Sequence, residues 1–409
     1  MTKSLTTEKL DSFGATLFSV SGLLWCLLFP IAKAPSNIAA VLVTLMALFA
    51  LVSITKASSV NPLREKNTIA ALLLMLLPAI WFLHPGPGPY GAYLKDTLFG
   101  LYMLAMAFWT RNHPDLLPKA VYLLLAGTVF SASISLMQHF SLIPQKDAGS
   151  SLGLHNGTLT GAFSLLLVFT AGLLTFVIRY SQTIFSRALA GVGLLICIAD
   201  LFLVVPGRTG YLAFLVMSGF MLYNLSKLSR VFAVILVLIV TAFVLNSSVF
   251  KQRIAAGKSD LQLYSGGTVT TSMGARFEMW KVSWRNFTET PLIGSGTNGF
   301  SPRWMREGYS KIPYAFNNPH STYFHLLGNY GISGFAVLVF FLWRLAVTAW
   351  RFRETLAGAA TGAFLIVFVV GGLTNTMLTG DFYLAWLALI AGMASGLKIK
   401  EIHEVTSKD

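Results

Sequence analysis

Apolar stretches long enough to cross a bilayer recur along almost the whole chain, and one polar segment, residues 249–320, interrupts them. Backbone N–H and C=O groups inside a bilayer must be bonded within the protein, so each such stretch is restricted to helix or closed barrel. A spanning helix takes about 20 apolar residues. Stretches of that kind fall at 13–31, 37–55, 68–84, 92–110, 118–137, 159–178, 188–206, 209–225, 231–248, 324–343, 357–378 and 382–397. The fourth contains Lys95 and Asp96, and Pro206-Gly207-Arg208 splits the seventh from the eighth. The expected fold is all-α and polytopic, with about twelve spanning helices and one large, partly helical loop between spans 9 and 10. Residues 1–248 then form nine spans, 249–320 a loop domain, and 321–409 three spans and a short tail. The first apolar run has no small-residue cleavage pattern after it and reads as a retained span.

Charge agrees with this reading. Only 11% of residues are charged, against about 25% in soluble domains, and mean hydropathy is +0.67. The net charge of +14 is largely topological. Lys3, Lys9, Lys56, Arg64, Lys66, Arg111, Lys119, Arg179, Arg187, Lys227, Arg230, Arg344, Arg351, Arg353, Lys398, Lys400 and Lys408 lie on the side of the termini. The short segments opposite hold Lys33, Lys95, Lys146 and Arg208. By the positive-inside rule both termini are cytoplasmic and segment 249–320 faces outward. A nucleic-acid partner is not implied. Within the segment, Lys251, Arg253, Lys258, Arg276, Lys281, Arg285, Arg303, Arg306 and Lys311 face Asp260, Glu278, Glu289 and Glu307. That surplus suits an anionic partner such as a phosphate, a diphosphate or lipid headgroups. Cys26 and Cys197 both lie in apolar runs, which argues against a disulfide framework or a zinc site.

The polar segment divides in three. Residues 249–271 are rich in polar residues and glycine and read as irregular. Ser272 reads as an N-cap, opening a helix over about 273–288. Met273, Phe277, Trp280, Trp284 and Phe287 recur at helical spacing as one apolar face suited to the membrane interface. Arg276 lies off that face. Pro291 and the glycines of Gly294-Ser295-Gly296 end the helix in a tight turn. Residues 300–319 are basic and aromatic, and Pro319-His320 leads into the tenth span.

Several side chains are candidates for chemistry. Arg208 is either a phosphate ligand or a snorkelling anchor; on the outer side an arginine anchor is against the rule, which favours the ligand. Arg276 is either a solvated surface residue or an anion ligand with a planar, permanently charged fork. His320 is either an interfacial residue bonded to water or a general base for a sugar hydroxyl. Its neighbours Asn317, Asn318, Ser321, Thr322 and Tyr323 are types that read sugars, with Asn318 and Tyr323 as substrate-binding candidates. His325 reads as packing. Asp200, Lys95, Asp96 and Asp381 lie in or near spans, where ionisable groups are functional by default; they rank below the arginines. The chain has no Asp-x-Asp, Asp-x-Glu or Glu-x-Asp pair of the kind that holds a divalent metal, and no phosphate-binding loop for ATP. No cofactor is expected.

The order of these motifs resembles the O-antigen ligase/polymerase superfamily of bacterial envelope glycosyltransferases. The resemblance rests on Pro206-Gly207-Arg208-Thr209-Gly210, Gly274-Ala275-Arg276, Pro291-Leu292-Ile293-Gly294-Ser295-Gly296, His320 and Gly331-x-x-Gly334, and covers about 200–335. It implies an inner-membrane enzyme with its site facing the periplasm. Glycan would pass from undecaprenyl diphosphate to a sugar of lipid A–core, without metal or nucleotide and with inversion. His320 would be the general base, and Arg208 and Arg276 would bind the departing diphosphate. Some members carry an acidic residue in the eleventh span where this chain has Asn375. The alternatives are an O-antigen polymerase or a protein O-oligosaccharyltransferase of the same superfamily. A secondary transporter is disfavoured, because it would place ionisable groups at the midplane and show symmetry between halves.

Overall fold

The computed structural model describes residues 2–53, 65–80, 96–144, 160–205, 207–224, 248–307 and 318–397. Among these residues all regular structure is helical. The helices are α1 (Thr2–Leu28), α2 (Lys33–Ser53), α3 (Lys66–Met75), α4 (Leu77–Ile80), α5 (Phe99–Asn112), α6 (Leu117–His139), α7 (Thr160–Tyr180) and α8 (Ile184–Ala199). They continue with α9 (Arg208–Asn224), α10 (Ser248–Ser265), α11 (Ser272–Glu289), α12 (Phe300–Arg306), α13 (Thr322–Arg351), α14 (Leu356–Thr374) and α15 (Asp381–Gly396). A π-helical turn, Asp200–Val204, follows α8.

The chain is a helical membrane protein. Among the described residues, five helical segments are long and apolar enough to cross a bilayer: Pro114–His139, Gly161–Tyr180, Ile184–Val204, Thr322–Arg351 and Leu356–Thr374. Gly14–Leu28, Lys33–Leu48, Lys66–Met75 and Asp381–Gly396 are apolar but shorter. The expected third span is broken at Leu76, which caps α3 ahead of Pro78. In the fourth, α5 starts only at Phe99, beyond Asp96, while Lys95 lies outside the described residues. Residues 225–247, which hold most of the expected ninth span, also lie outside them. One apolar core runs through the bundle, and small residues permit its closest contacts. At Gly392 and Gly396 of α15 a Cβ would stand only 2.6 Å and 2.4 Å from the Cβ atoms of Met106 and Thr110 on α5.

Outside this core, Ala275, Met279 and Val282 of α11 bury a second, small cluster against Phe300 and Trp304 of α12. Ion pairs fasten the two helices. Arg303 reaches Glu289 at 2.6 Å and Glu307 at 2.7 Å, and Arg285 pairs with Glu307.

Two local expectations change here. Residues expected to be irregular between 249 and 271 form α10 up to Ser265. The stretch contains no proline, and Gly266-Gly267, the latter at φ +92°, turns the chain afterwards. The N-cap of α11 is Thr271 rather than Ser272: its Oγ1 accepts the Gly274 N–H at 3.1 Å. The aromatic stripe, read as suited to the membrane interface, is not the face that α11 packs into the protein. Trp284 is 50% exposed, whereas Gly274, Ala275, Glu278, Met279, Val282, Ser283 and Asn286 are buried. The small residues on that face allow a close approach, and Ser283 lies against Gly328 of α13.

The two glycine motifs noted in the sequence dock on each other. Helix α13 breaks at Gly331 (φ 64°, ψ −158°). The freed groups pair with the turn after α11: Ser295 N–H donates to Gly328 O at 2.9 Å, Gly296 N–H to Asn329 O at 3.0 Å, and Ile332 N–H to Pro291 O at 2.8 Å. Irregular backbone is tolerated in a buried apolar setting when it is paired in this way. Gly294 sits at φ +72°, and a Cβ there would lie 2.3 Å from the Asn329 carbonyl carbon. Gly294→Ala is therefore expected to destabilise the protein by about 2 kcal/mol or more, read as a lower melting temperature in detergent.

Candidate active site

Four chain segments converge at the head of α13, and hydrogen bonds show how. Asn318 Oδ1 accepts the His320 N–H at 3.0 Å and the Thr376 hydroxyl at 2.8 Å. Thr322, the first residue of α13, donates its N–H and Oγ1–H to Asn375 O at 3.1 Å and 3.0 Å, and its Oγ1 accepts the Met377 N–H at 2.8 Å. The α14–α15 turn is thereby sewn to the loop that carries His320. On the far side of α14, the hydroxyls of Thr374 and Thr209 are hydrogen-bonded, which brings the first turn of α9, and so Arg208, to the same rim. From α11, Trp280 Nε1–H donates to Pro319 O at 3.1 Å, and its ring stacks on Phe324 at 5.4 Å. α10 also closes in: a Cβ at Gly257 would lie 3.9 Å from Arg208 Nη1.

His320 itself is held at φ +48°, in the left-handed region. Histidine is among the residues that tolerate it better, and the Asn318 bond two residues back supports the turn. Such conformations persist where the surroundings over-determine them, often at functional sites. Burial first, and the Arg276 charge second, pull the His320 pKa from 6.5 down to about 4. The imidazole is therefore neutral near pH 7 and keeps a lone pair able to accept a proton.

Arg276 is the electrostatic hub. Its pKa is pulled down by burial first and then by the positive charge of Arg208, while Tyr383 acts the other way; arginine nevertheless stays protonated. Among the described residues neither Arg208 nor Arg276 has a carboxylate partner. Three of the segment's four acids are engaged elsewhere, Glu278 with Lys281 and the Tyr264 hydroxyl, Glu289 and Glu307 with Arg303 and Arg285. Two guanidinium groups within reach of each other and without a counter-charge form a place for an anion.

The remaining candidates fall as follows. Tyr323 donates its hydroxyl proton to Val369 O at 2.7 Å and keeps lone pairs for accepting. His325 is buried, one face against Asn329 (3.4 Å), and lines a small cavity with Asp96 and Tyr330. Asp381 pairs with Lys33 at 2.8 Å, and Asp200 is fully buried in the π-helical turn. Asn375 caps α14 and offers its carbonyl to Thr322. Among the described residues no group of three or more His, Cys, Asp or Glu side chains is placed to hold a metal ion. Sequence reasoning missed Thr209, Thr374, Thr376, Trp280 and Tyr383. Threonines and aromatics are common in spans, so nothing in their local sequence marks them.

Comparison with known proteins bears on residues 201–339, which match the family model described as O-antigen ligase. An uncharacterized protein of Haemophilus influenzae is 24% identical over 243 residues, covering 56% of this chain and 59% of that protein. The alignment thus spans less than two thirds of the relative. Arg208, Arg276 and His320 all fall within the matched region. The resemblance read from the sequence falls on the same stretch: over residues 201–339 the chain is similar to the O-antigen ligase family.

Proposed function

We propose that this protein transfers a glycan from undecaprenyl diphosphate to a sugar hydroxyl of lipid A–core at the periplasmic face of the bacterial inner membrane, with both termini cytoplasmic. The observation that carries this reading is the pair of guanidinium groups, Arg208 and Arg276, with no carboxylate partner among the described residues, beside the neutral imidazole of His320. A diphosphate on a polyprenyl chain is an anion that arrives from the membrane, and Arg208 opens α9, which the sequence reads as a span.

In this reading His320 accepts the proton of the acceptor hydroxyl as its oxygen attacks the anomeric carbon. The bond from that carbon to the phosphate oxygen breaks, and undecaprenyl diphosphate leaves with the electron pair. Attack opposite the leaving group inverts the anomeric centre. Arg208 and Arg276 bind the diphosphate and stabilise the charge that grows on the bridging oxygen. That electrostatic work needs neither a metal ion nor ATP. Asn318, whose Oδ1 is already committed to His320 and Thr376, offers its amide N–H groups to the sugars, and Tyr323 offers an acceptor oxygen.

The test is transfer by purified protein supplied with undecaprenyl-diphosphate glycan and rough lipopolysaccharide, in EDTA and without ATP. Glycan attached to lipopolysaccharide is the expected product. Lengthened undecaprenyl-linked glycan with unmodified lipopolysaccharide would replace this reading with a polymerase, and no glycan transfer at all would overturn both.

A further inference from the structure

The first turn of α15 is fixed tightly against the site. Gly380 precedes it at φ +83°, Asp381 is paired with Lys33 at 2.8 Å, and Phe382 stacks on Phe29 at 5.0 Å. The preceding residues, Thr376 and Met377, are bonded to Asn318 and Thr322. Tyr383 is the next residue of this turn and is only 7% exposed. Its hydroxyl has no hydrogen-bond partner among the described residues. The hydroxyls of Tyr264 and Tyr323 near the same site are both bonded.

A buried phenol with no partner is costly, and buried polar groups are nearly always paired. The group beside Tyr383 that bears on this is Arg276, which lies within its electrostatic reach. A guanidinium has only donors. It could donate to the phenol oxygen, but no such bond forms. An anion that accepts from both would satisfy the buried hydroxyl and balance a guanidinium that has no carboxylate partner among the described residues. Arg208, whose charge Arg276 also senses, is exposed and likewise has no carboxylate partner among the described residues.

We infer that Tyr383 is a third ligand of the donor's diphosphate, its phenol O–H donating to a phosphate oxygen that Arg276 and Arg208 also hold. This rests on the reading of Arg208 and Arg276 as a diphosphate site. The phenol adds a neutral donor from α15, an element otherwise absent from the site. A hydrogen bond to an anion in a water-poor setting is among the stronger ones. Tyr383 lies beyond the region matched by the family model, so the fold alone brings it into the site.

Tyr383→Phe removes one oxygen and keeps the ring. It is expected to raise KM for undecaprenyl-diphosphate glycan about tenfold and to weaken binding of undecaprenyl diphosphate itself to a similar degree. KM for lipopolysaccharide should stay unchanged. The melting temperature of the lipid-free variant should equal or exceed that of wild type, because the lost hydroxyl had no partner there. Unchanged donor KM and lipid binding would overturn the assignment. A fall in kcat alone would do so as well, since the tyrosine would then act through Arg276, and so would a marked drop in melting temperature, which would reveal a partner inside the protein. The binding arm uses the lipid diphosphate without acceptor. Wild type that binds it without transferring glycan defeats the proposed reaction but not the ligand; wild type that does not bind it defeats both.

Discussion

Replacing His320 with alanine is expected to lower kcat for glycan transfer by about 10²- to 10⁴-fold, the range for loss of a general base. Donor binding should change little, because the arginines remain. The equivalent change at His325, which packs against Asn329 and sits behind the site, is expected to leave most activity. The pH profile supplies an independent check. In the free protein the His320 pKa is depressed to about 4, by burial and then by Arg276. A base works only when unprotonated, so the acid limb of kcat/KM for the donor should lie near pH 4 and vanish in His320→Ala. A bound diphosphate offsets the Arg276 charge and raises the pKa, so the acid limb of kcat, governed by the donor complex, should lie at higher pH. The folding linkage has a matching sign. With a folded pKa below 6.5, the folded state binds fewer protons than the unfolded one between about pH 6.5 and 4, so His320 subtracts stability as pH falls through that window.

Arg276→Ala carries the second large effect, a loss of about 10²- to 10³-fold in kcat, as seen when a preorganised donor to a developing oxyanion is removed. Arg276→Lys should recover only part of it, since an ammonium provides a point charge but not a two-pronged fork. The side chain has a second readout. Its charge lowers the His320 pKa, so Arg276→Ala should shift the kcat/KM acid limb upward even as the rate falls. The shift is partial, because burial is the larger cause. A purely structural role for Arg276 would lower activity and leave that limb in place.

How much of this could be read from the sequence depends on the scale of the signal. Long apolar runs announce helices directly, and α6, α7, α8, α13 and α14 all follow them. Pro206-Gly207-Arg208 marked the break before α9, and Pro291 with Gly294-Ser295-Gly296 marked the turn after α11. That Gly294 and Gly331 answer each other across two segments was not legible, since it is a backbone contact between elements distant in sequence. Which face of α11 packs into the protein was illegible for the same reason. Its aromatic stripe has the stronger hydrophobic signal, but the smaller side chains of Ala275 and Ser283 allow closer packing and win the buried face. For the candidate site, Arg208 stood out beside an apolar run and His320 at the mouth of one, whereas Arg276, in a polar segment, stood out only through the family resemblance. Tyr383 did not, because a tyrosine in an apolar helix is ordinary until its hydroxyl is found without a partner.

The account stands on a lipid diphosphate lying between Arg208 and Arg276. The most direct measurement is equilibrium binding of undecaprenyl diphosphate to the purified protein in EDTA, comparing wild type with Arg208→Ala, Arg276→Ala and the double variant. Saturable binding by wild type, about tenfold or more weaker in each single variant and lost in the double one, is the predicted result. Variants that fold, keep the wild-type melting temperature and bind the lipid as tightly as wild type would contradict it.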